Sequence, residues 1–273
     1  MPGSLTRLGA RLLRATVLID RAYQRFDRAR SLTVLAGASD GLLEAYGRRV
    51  FDQSPTFRAG SGSFRQGLFA WEERAIGECF PPPPARLLVG GAGGGRESLA
   101  LVARGYRVVA FDPAGVLVRS LCEAARALPD GALRAHCASY ADLPGLPATA
   151  QFPACDLASE PPFDAAILGW TSLSHILTDD GRVEALARMA RVTRGPLLVS
   201  YFGRPDAPAP AAGRLCAIKA RALRRGPAMF TVALGFARLI SDEDLRDFAA
   251  RAGLRIARLD HASEWPHAIL VAA

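Results

Sequence analysis

The stretch RLLVGGAGGGRESLALVA, residues 86–103, constrains the fold of this chain more than any other. An apolar run ends in a six-residue window, 90–95, that holds five glycines and one alanine, and a helical pattern starts directly after it. Glycine loses more conformational freedom on folding than any other residue, so such a window implies a backbone that side chains would obstruct. A strand, a bare turn and a helix in that order leave unpaired backbone N–H groups at the carboxyl end of a sheet. Doubly wound folds bind anionic and nucleoside ligands there.

The strand and helix alternation continues. Arg86–Val89, Arg107–Phe111, Leu133–Cys137, Ala165–Leu168 and Leu197–Tyr201 read as short buried strands, with helices over Glu97–Arg104, Val116–Ala127 and Val183–Val192. Near-continuous apolar strands separated by helices are the signature of a parallel sheet covered on both faces. The chain then changes character. SDEDLRDFAARAG is a helix with Ser241 as N-cap and Gly253 as C-cap, and Leu254–Leu259 and Ala268–Val271 follow as two strands close enough to pair antiparallel.

Ahead of the sheet, residues 4–30 read as one or two amphipathic helices, with Leu5, Leu8, Leu12, Val17 and Ile19 apolar and Arg7, Arg11 and Arg14 at helical spacing. A helix of this kind can contact a membrane peripherally, but its first reading is a lid or packing helix with a solvated basic face. Residues 37–40 and AGSGS at 59–63 interrupt the pattern, and FRQGLFAWEERAIGECF reads as a helix led into the sheet by the stiff run Pro81–Pro84. This divides the chain into a helical extension or lid, 1–63, and a main domain, 64–273. An insert at about 203–240 reads as a basic helix through Lys219, Arg221, Arg224 and Arg225.

The net charge of +8 invites a nucleic-acid reading, but residues 1–30 carry seven arginines against two aspartates, which is +5 of the total. That segment offers only Tyr23 and Phe26 for stacking on bases, so a nucleic-acid partner is not expected. Five cysteines without a C-x-x-C pair read as reduced thiols, and four histidines without ligand spacing give no support for a metal. With no long uncharged apolar run and no signal-peptide pattern, the expected location is cytoplasmic.

The glycine spacing separates two ligand classes. A dinucleotide fingerprint needs G-x-G-x-x-G, yet the sixth position is Arg96 counted from Gly91 and Ser98 counted from Gly93. Read as G-x-G-x-G over Gly91, Gly93 and Gly95, with Asp112 at the end of the second strand, the stretch resembles motif I of the class I S-adenosylmethionine-dependent methyltransferases. FDAAILGWTSLSHI resembles the family's fourth-strand motif and ASYADLP its segment after the third strand, and the likeness extends over about residues 64–273.

The resemblance implies an α/β fold, doubly wound, with a mostly parallel seven-stranded sheet and a C-terminal antiparallel strand, here behind an N-terminal helical extension. It implies S-adenosylmethionine as cofactor, cradled by Gly90, Gly91, Gly93 and Gly95. Asp112, followed by Pro113, would serve the ribose hydroxyls. Ser139 and Tyr140 would lie beside the adenine, and Gly169 at the methionyl end. Val89 stands where the family usually has an acid, leaving Glu97, a water network or weaker affinity to replace it.

Methyl transfer from a sulfonium is an in-line displacement with the nucleophile about 3 Å from the methyl carbon, and an oxygen nucleophile needs a base. His175, shortly after the fourth strand, is the candidate base, with Trp170, Thr171 and Ser172 beside it. Trp71 would roof the substrate site, and Tyr201 would reach it from the fifth strand. The function this predicts is methylation of a small molecule, at oxygen rather than nitrogen. An RNA or protein methyltransferase using the basic N-terminal helices, or a non-catalytic binding module of the same fold, are the alternatives.

Overall fold

The computed structural model describes residues 3–204, 226–261 and 265–273. Seven strands form one sheet: β1 (Arg86–Gly90), β2 (Arg107–Asp112), β3 (Leu133–Cys137), β4 (Ala165–Leu168), β5 (Leu197–Ser200), β6 (Leu254–Asp260) and β7 (His267–Ala272). Their spatial order is β6-β7-β5-β4-β1-β2-β3. β1 to β5 run parallel, and β7 is antiparallel to both β5 and β6. The expected doubly wound sheet with a reversed C-terminal strand is therefore the one observed.

The chain lays β2 and β3 to one side of β1, then crosses to place β4 on the other. That switch point opens a crevice at the carboxyl ends of β1 and β4, where ligands of open α/β sheets bind. Successive residues of β1 serve opposite faces. Leu88 joins a core with Leu186 and Phe248, while Leu87 and Val89 join a second core with Trp71, Leu101 and Leu121.

The helices are α1 (Gly3–Gly37), α2 (Asp40–Gln53), α3 (Ala70–Cys79), α4 (Arg96–Ala103), α5 (Gly115–Ala125), the single turn α6 (Ser172–His175), α7 (Asp179–Arg191) and α8 (Asp242–Arg251). α8 starts with a reciprocal cap: the Asp244 amide donates to Ser241 Oγ and the Ser241 amide to the Asp244 carboxylate. The sequence FRQGLFAWEERAIGECF is not one helix, because Gly67 at φ +71° separates the short turn Gly62–Arg65 from α3.

Residues 3–37 form a single helix, within the one or two expected, and the buried side chains among those described on it lie near its C-terminal end. Leu35 and Leu43 are buried with Leu177, Phe230 and Phe236, and the Phe230 amide donates to Ser31 Oγ at 2.8 Å. Side chains from Leu12 to Phe26 stand exposed. The helix expected in the insert through Lys219, Arg221, Arg224 and Arg225 lies outside the described residues, and residues 228–238 after it form a β-hairpin, Ala228–Thr231 with Gly235–Arg238. Phe230 and Phe236 pair across it and face α1 and α2, so apolar burial selects strands there. Cys79, Cys122, Cys137 and Cys155 are free thiols; Cys216 lies outside the described residues.

Candidate functional site

The glycine loop leaves β1 and turns into α4 at the crevice. Gly91 adopts φ +65°, a left-handed conformation that a side chain disfavours, and a Cβ there would meet the Ser172 Cβ at 2.5 Å. The Gly169 amide, just past β4, donates to the Gly90 carbonyl at 2.7 Å, and a Cβ at Gly169 would lie 2.5 Å from the Gly91 carbonyl oxygen. Tyr140 lies beside the loop, its ring against the space next to Gly90 and its hydroxyl 2.7 Å from Ser172 Oγ. On its other side the Gly94 amide donates to the Phe57 carbonyl, so the segment after α2 lies directly on the loop.

Asp112 joins this loop to β2. Its Oδ2 accepts the Gly93 amide and its Oδ1 the Ala114 amide, both at 2.8 Å. Burial pushes the Asp112 carboxyl up to about 6; the two amide bonds pull it down, and the charges of Asp52 and Glu97 add to the rise. Each carboxylate oxygen has a second lone-pair direction beyond these bonds, the capacity a pair of vicinal hydroxyls would require. Bare backbone at a switch point beside a strand-end carboxylate fits an adenosyl group.

Beneath the loop is a buried ionic cluster. Arg96, 5% exposed, makes two 2.6 Å bonds to Glu72 of α3 and one of 2.7 Å to Glu97, and its guanidinium lies 3.9 Å from the Phe69 ring centroid. Two carboxylates share one cation, and burial with Glu97 nearby pushes Glu72 up to about 7. Glu97 also accepts the Trp170 amide at 3.2 Å, joining the cluster to the end of β4. The next residue, Thr171, has φ +57° and is the one non-glycine with positive φ among the described residues. A β-branched residue held there stores strain, on the order of 1–3 kcal/mol. The Thr171 amide donates to Ser200 Oγ at 2.9 Å, which helps to hold it.

His175 ends α6. Its Nδ1 lies 2.8 Å from the Phe236 carbonyl, an acceptor only, so Nδ1 carries the proton and Nε2 keeps a lone pair. Burial lowers the imidazole below the ordinary histidine value and keeps it neutral. Phe51 and Phe202 meet the ring edge-on at 5.3 and 5.8 Å between centroids. Phe51 in turn packs on Phe57, the residue whose carbonyl sits on the glycine loop.

Solved structures share this fold. Burkholderia thailandensis 1,6-didemethyltoxoflavin-N1-methyltransferase, solved with bound 1,6-didemethyltoxoflavin and S-adenosylhomocysteine, matches with TM-score 0.56 and 18% identity over 86% of this chain and 91% of that one. Magnesium protoporphyrin IX methyltransferase (ChlM) from Synechocystis PCC 6803, with bound SAM, matches with TM-score 0.54 and 15% identity over 87% and 99%. The CcbJ methyltransferase from Streptomyces caelestis matches with TM-score 0.53 and 15% identity over 84% and 98%. The chain has the class I methyltransferase fold. No family profile matches its sequence, and no curated protein matches it at the sequence level.

On that fold, Gly90, Gly91, Gly93, Gly95, Asp112, Tyr140 and Gly169 come together at one crevice, with Glu97 and Trp170 at its floor. Pro113 is exposed beside Asp112. The Ser139 hydroxyl is committed to Asp142 at 2.8 Å, capping the turn Tyr140–Asp142. Trp71, on α3, is buried with its ring 4.6 Å from that of His267, and Phe69 contacts both Trp71 and Trp170. Tyr201 is 1% exposed in the core with Ile240 and Phe248. His261 pairs with Asp242 at 2.6 Å.

The sequence assigns no role to Arg96 or Phe51, and it marks Ser172 only as a neighbour of His175. An arginine beside a glutamate at the start of a buried helix needs partners, which is the signal for Arg96. Phe51 carries no local signal.

Proposed function

We propose that this chain is an S-adenosylmethionine-dependent methyltransferase of a small organic acceptor, acting at oxygen. One observation carries the reading: Asp112, at the end of β2, accepts the amide of Gly93 in the glycine loop and keeps lone-pair directions that vicinal hydroxyls could use. The named structural neighbours, a toxoflavin-precursor and a porphyrin methyltransferase among them, support the same class at the level of fold.

When bound, S-adenosylmethionine supplies a methyl carbon on a sulfonium, open to in-line displacement. The chain's own residues account for the rest. Gly91, Gly93 and Gly95 present backbone without side chains, and Asp112 accepts hydroxyl protons on the lone pairs its amide bonds leave free. Thr171 and Trp170, held by Ser200 and Glu97, wall the crevice at β4. Phe51, Phe202 and Trp265 shield the acceptor side from water, which strengthens each polar contact inside. His175 takes a proton from an acceptor hydroxyl at Nε2 while Nδ1–H stays on the Phe236 carbonyl.

Intrinsic tryptophan fluorescence offers a direct test, because Trp170 lies at the crevice. S-adenosylhomocysteine should change it saturably and NAD should not. Saturable binding of NAD alone would overturn the reading. With an accepted phenol or carboxylic acid in hand, His175→Ala should lower turnover about 10²-fold or more and leave cofactor affinity intact. Full activity in that variant would remove His175 from the role.

A further inference from the structure

We propose that the projecting part of α1 is a docking surface for the face of an anionic phospholipid bilayer. Seven of the nine large hydrophobic side chains exposed among the described residues lie on this one helix. Leu12, Leu18, Ile19, Tyr23 and Phe26 are between 61% and 69% exposed. At about 100° per residue they fall with Ala15, Ala22 and Ala29 on one arc of roughly 140°, along a stretch about 27 Å long. Such a stripe is too large to be ordinary scatter of surface hydrophobics.

Charge decides what covers it. Arg14, Arg21, Arg25 and Arg28 cluster on an arc beside Leu18, and none has an ion-pair partner among the described residues. The acids of the segment are matched locally: Asp27 holds Arg30 at 2.5 Å, and Asp20 accepts from Gln24 at 2.8 Å. The helix therefore offers an apolar stripe flanked by uncompensated arginines. That pattern suits phosphate headgroups above an acyl boundary, with long arginine stems reaching up to the phosphates. A second copy is disfavoured, because pairing two such helices brings like charges together. No helix among the described residues is long and apolar enough to cross a membrane, so the contact is one of lying on the surface. The end of α1, held by Ser31 and Leu35 against the hairpin at 228–238, would then keep the crevice near the lipid surface. That position suits an acceptor partitioned into lipid.

Co-sedimentation of the full chain with vesicles tests this. Vesicles of phosphatidylcholine containing phosphatidylglycerol should bind the protein, and vesicles of phosphatidylcholine alone should bind it far less. Binding should weaken as salt rises, since screening shortens the reach of exposed charges. Ile19→Asp with Phe26→Asp should reduce binding at least about tenfold. Arg21→Gln, Arg25→Gln and Arg28→Gln should each reduce it about fivefold on anionic vesicles. Thermal unfolding and S-adenosylhomocysteine binding should be unchanged in all of these variants, so failure here is distinguishable from failure of the methyltransferase reading. The proposal is overturned by equal binding to both vesicle types, by binding that survives Ile19→Asp with Phe26→Asp, or by no binding at all. It is also overturned by a concentration-dependent dimer that the same aspartates dissociate, which would make a second copy the occupant.

Discussion

At Gly91 and Gly169 there is no room for a methyl group, whereas along residues 12–26 of α1 whole side chains stand in solvent. A Cβ at Gly91 would reach Ser172 and one at Gly169 would reach the Gly91 carbonyl, while Ile19 and Phe26 are each 69% exposed. Both regions depart from what local preference favours. The loop forgoes side chains, and the helix leaves apolar groups wet. In the loop the compensation lies within the chain: Asp112, Tyr140, Ser172 and Phe57 all close on it. On α1 no compensation is found among the described residues, and the proposed bilayer contact would supply it. The contrast sets the proposed cofactor site apart from the proposed docking surface.

The largest effect expected on the packed side is at Arg96. Arg96→Ala leaves Glu72 and Glu97 buried without their cation and should cost about 3–5 kcal/mol in urea unfolding. A loss well under that would show the cluster to be wet. Gly169→Ala should cost less, about 1–3 kcal/mol, because the new methyl meets backbone that cannot turn aside. Its effect should be read from melting temperature with and without S-adenosylhomocysteine, the shift on binding shrinking along with stability.

A pH titration sharpens the role of Asp112. Its folded value, about 6, lies above the ordinary 3.8, so its contribution to folding stability is full below 3.8 and is lost as pH rises through 6. Cofactor binding runs the other way, since ribose hydroxyls need the ionised acceptor. Affinity should fall about tenfold per unit as pH drops below 6, and Asp112→Asn should abolish that dependence. The smallest effect belongs to the helix: Ile19→Asp should move stability by no more than about 0.5 kcal/mol. A larger loss would mean that the stripe is covered within the chain after all.

The sheet was legible because each of its parallel strands is a nearly unbroken apolar run, and those runs need two covered faces. Asp112 was legible from its place at a strand end; its use in holding the Gly93 amide was not, since that bond depends on the turn's exact path. The Glu72–Arg96 pair joins residues 24 positions apart, and no local pattern reports such a contact. Thr171 is legible as a neighbour of the site, yet its left-handed backbone runs against the preference of a threonine, so only the fold reveals it. The hairpin at 228–238 follows the arginines that suggest a helix in the insert, and its two strands are too short for alternation in AMFTVALGFARL to stand out.

The central claim is that the glycine loop and Asp112 hold S-adenosylmethionine, and calorimetry at neutral pH tests it most directly. The account predicts saturable one-site binding to the intact chain and a loss of about tenfold or more in Asp112→Ala, as expected for hydrogen bonds to a charged acceptor. Absence of binding at millimolar cofactor, or equal affinity in Asp112→Ala, would contradict it.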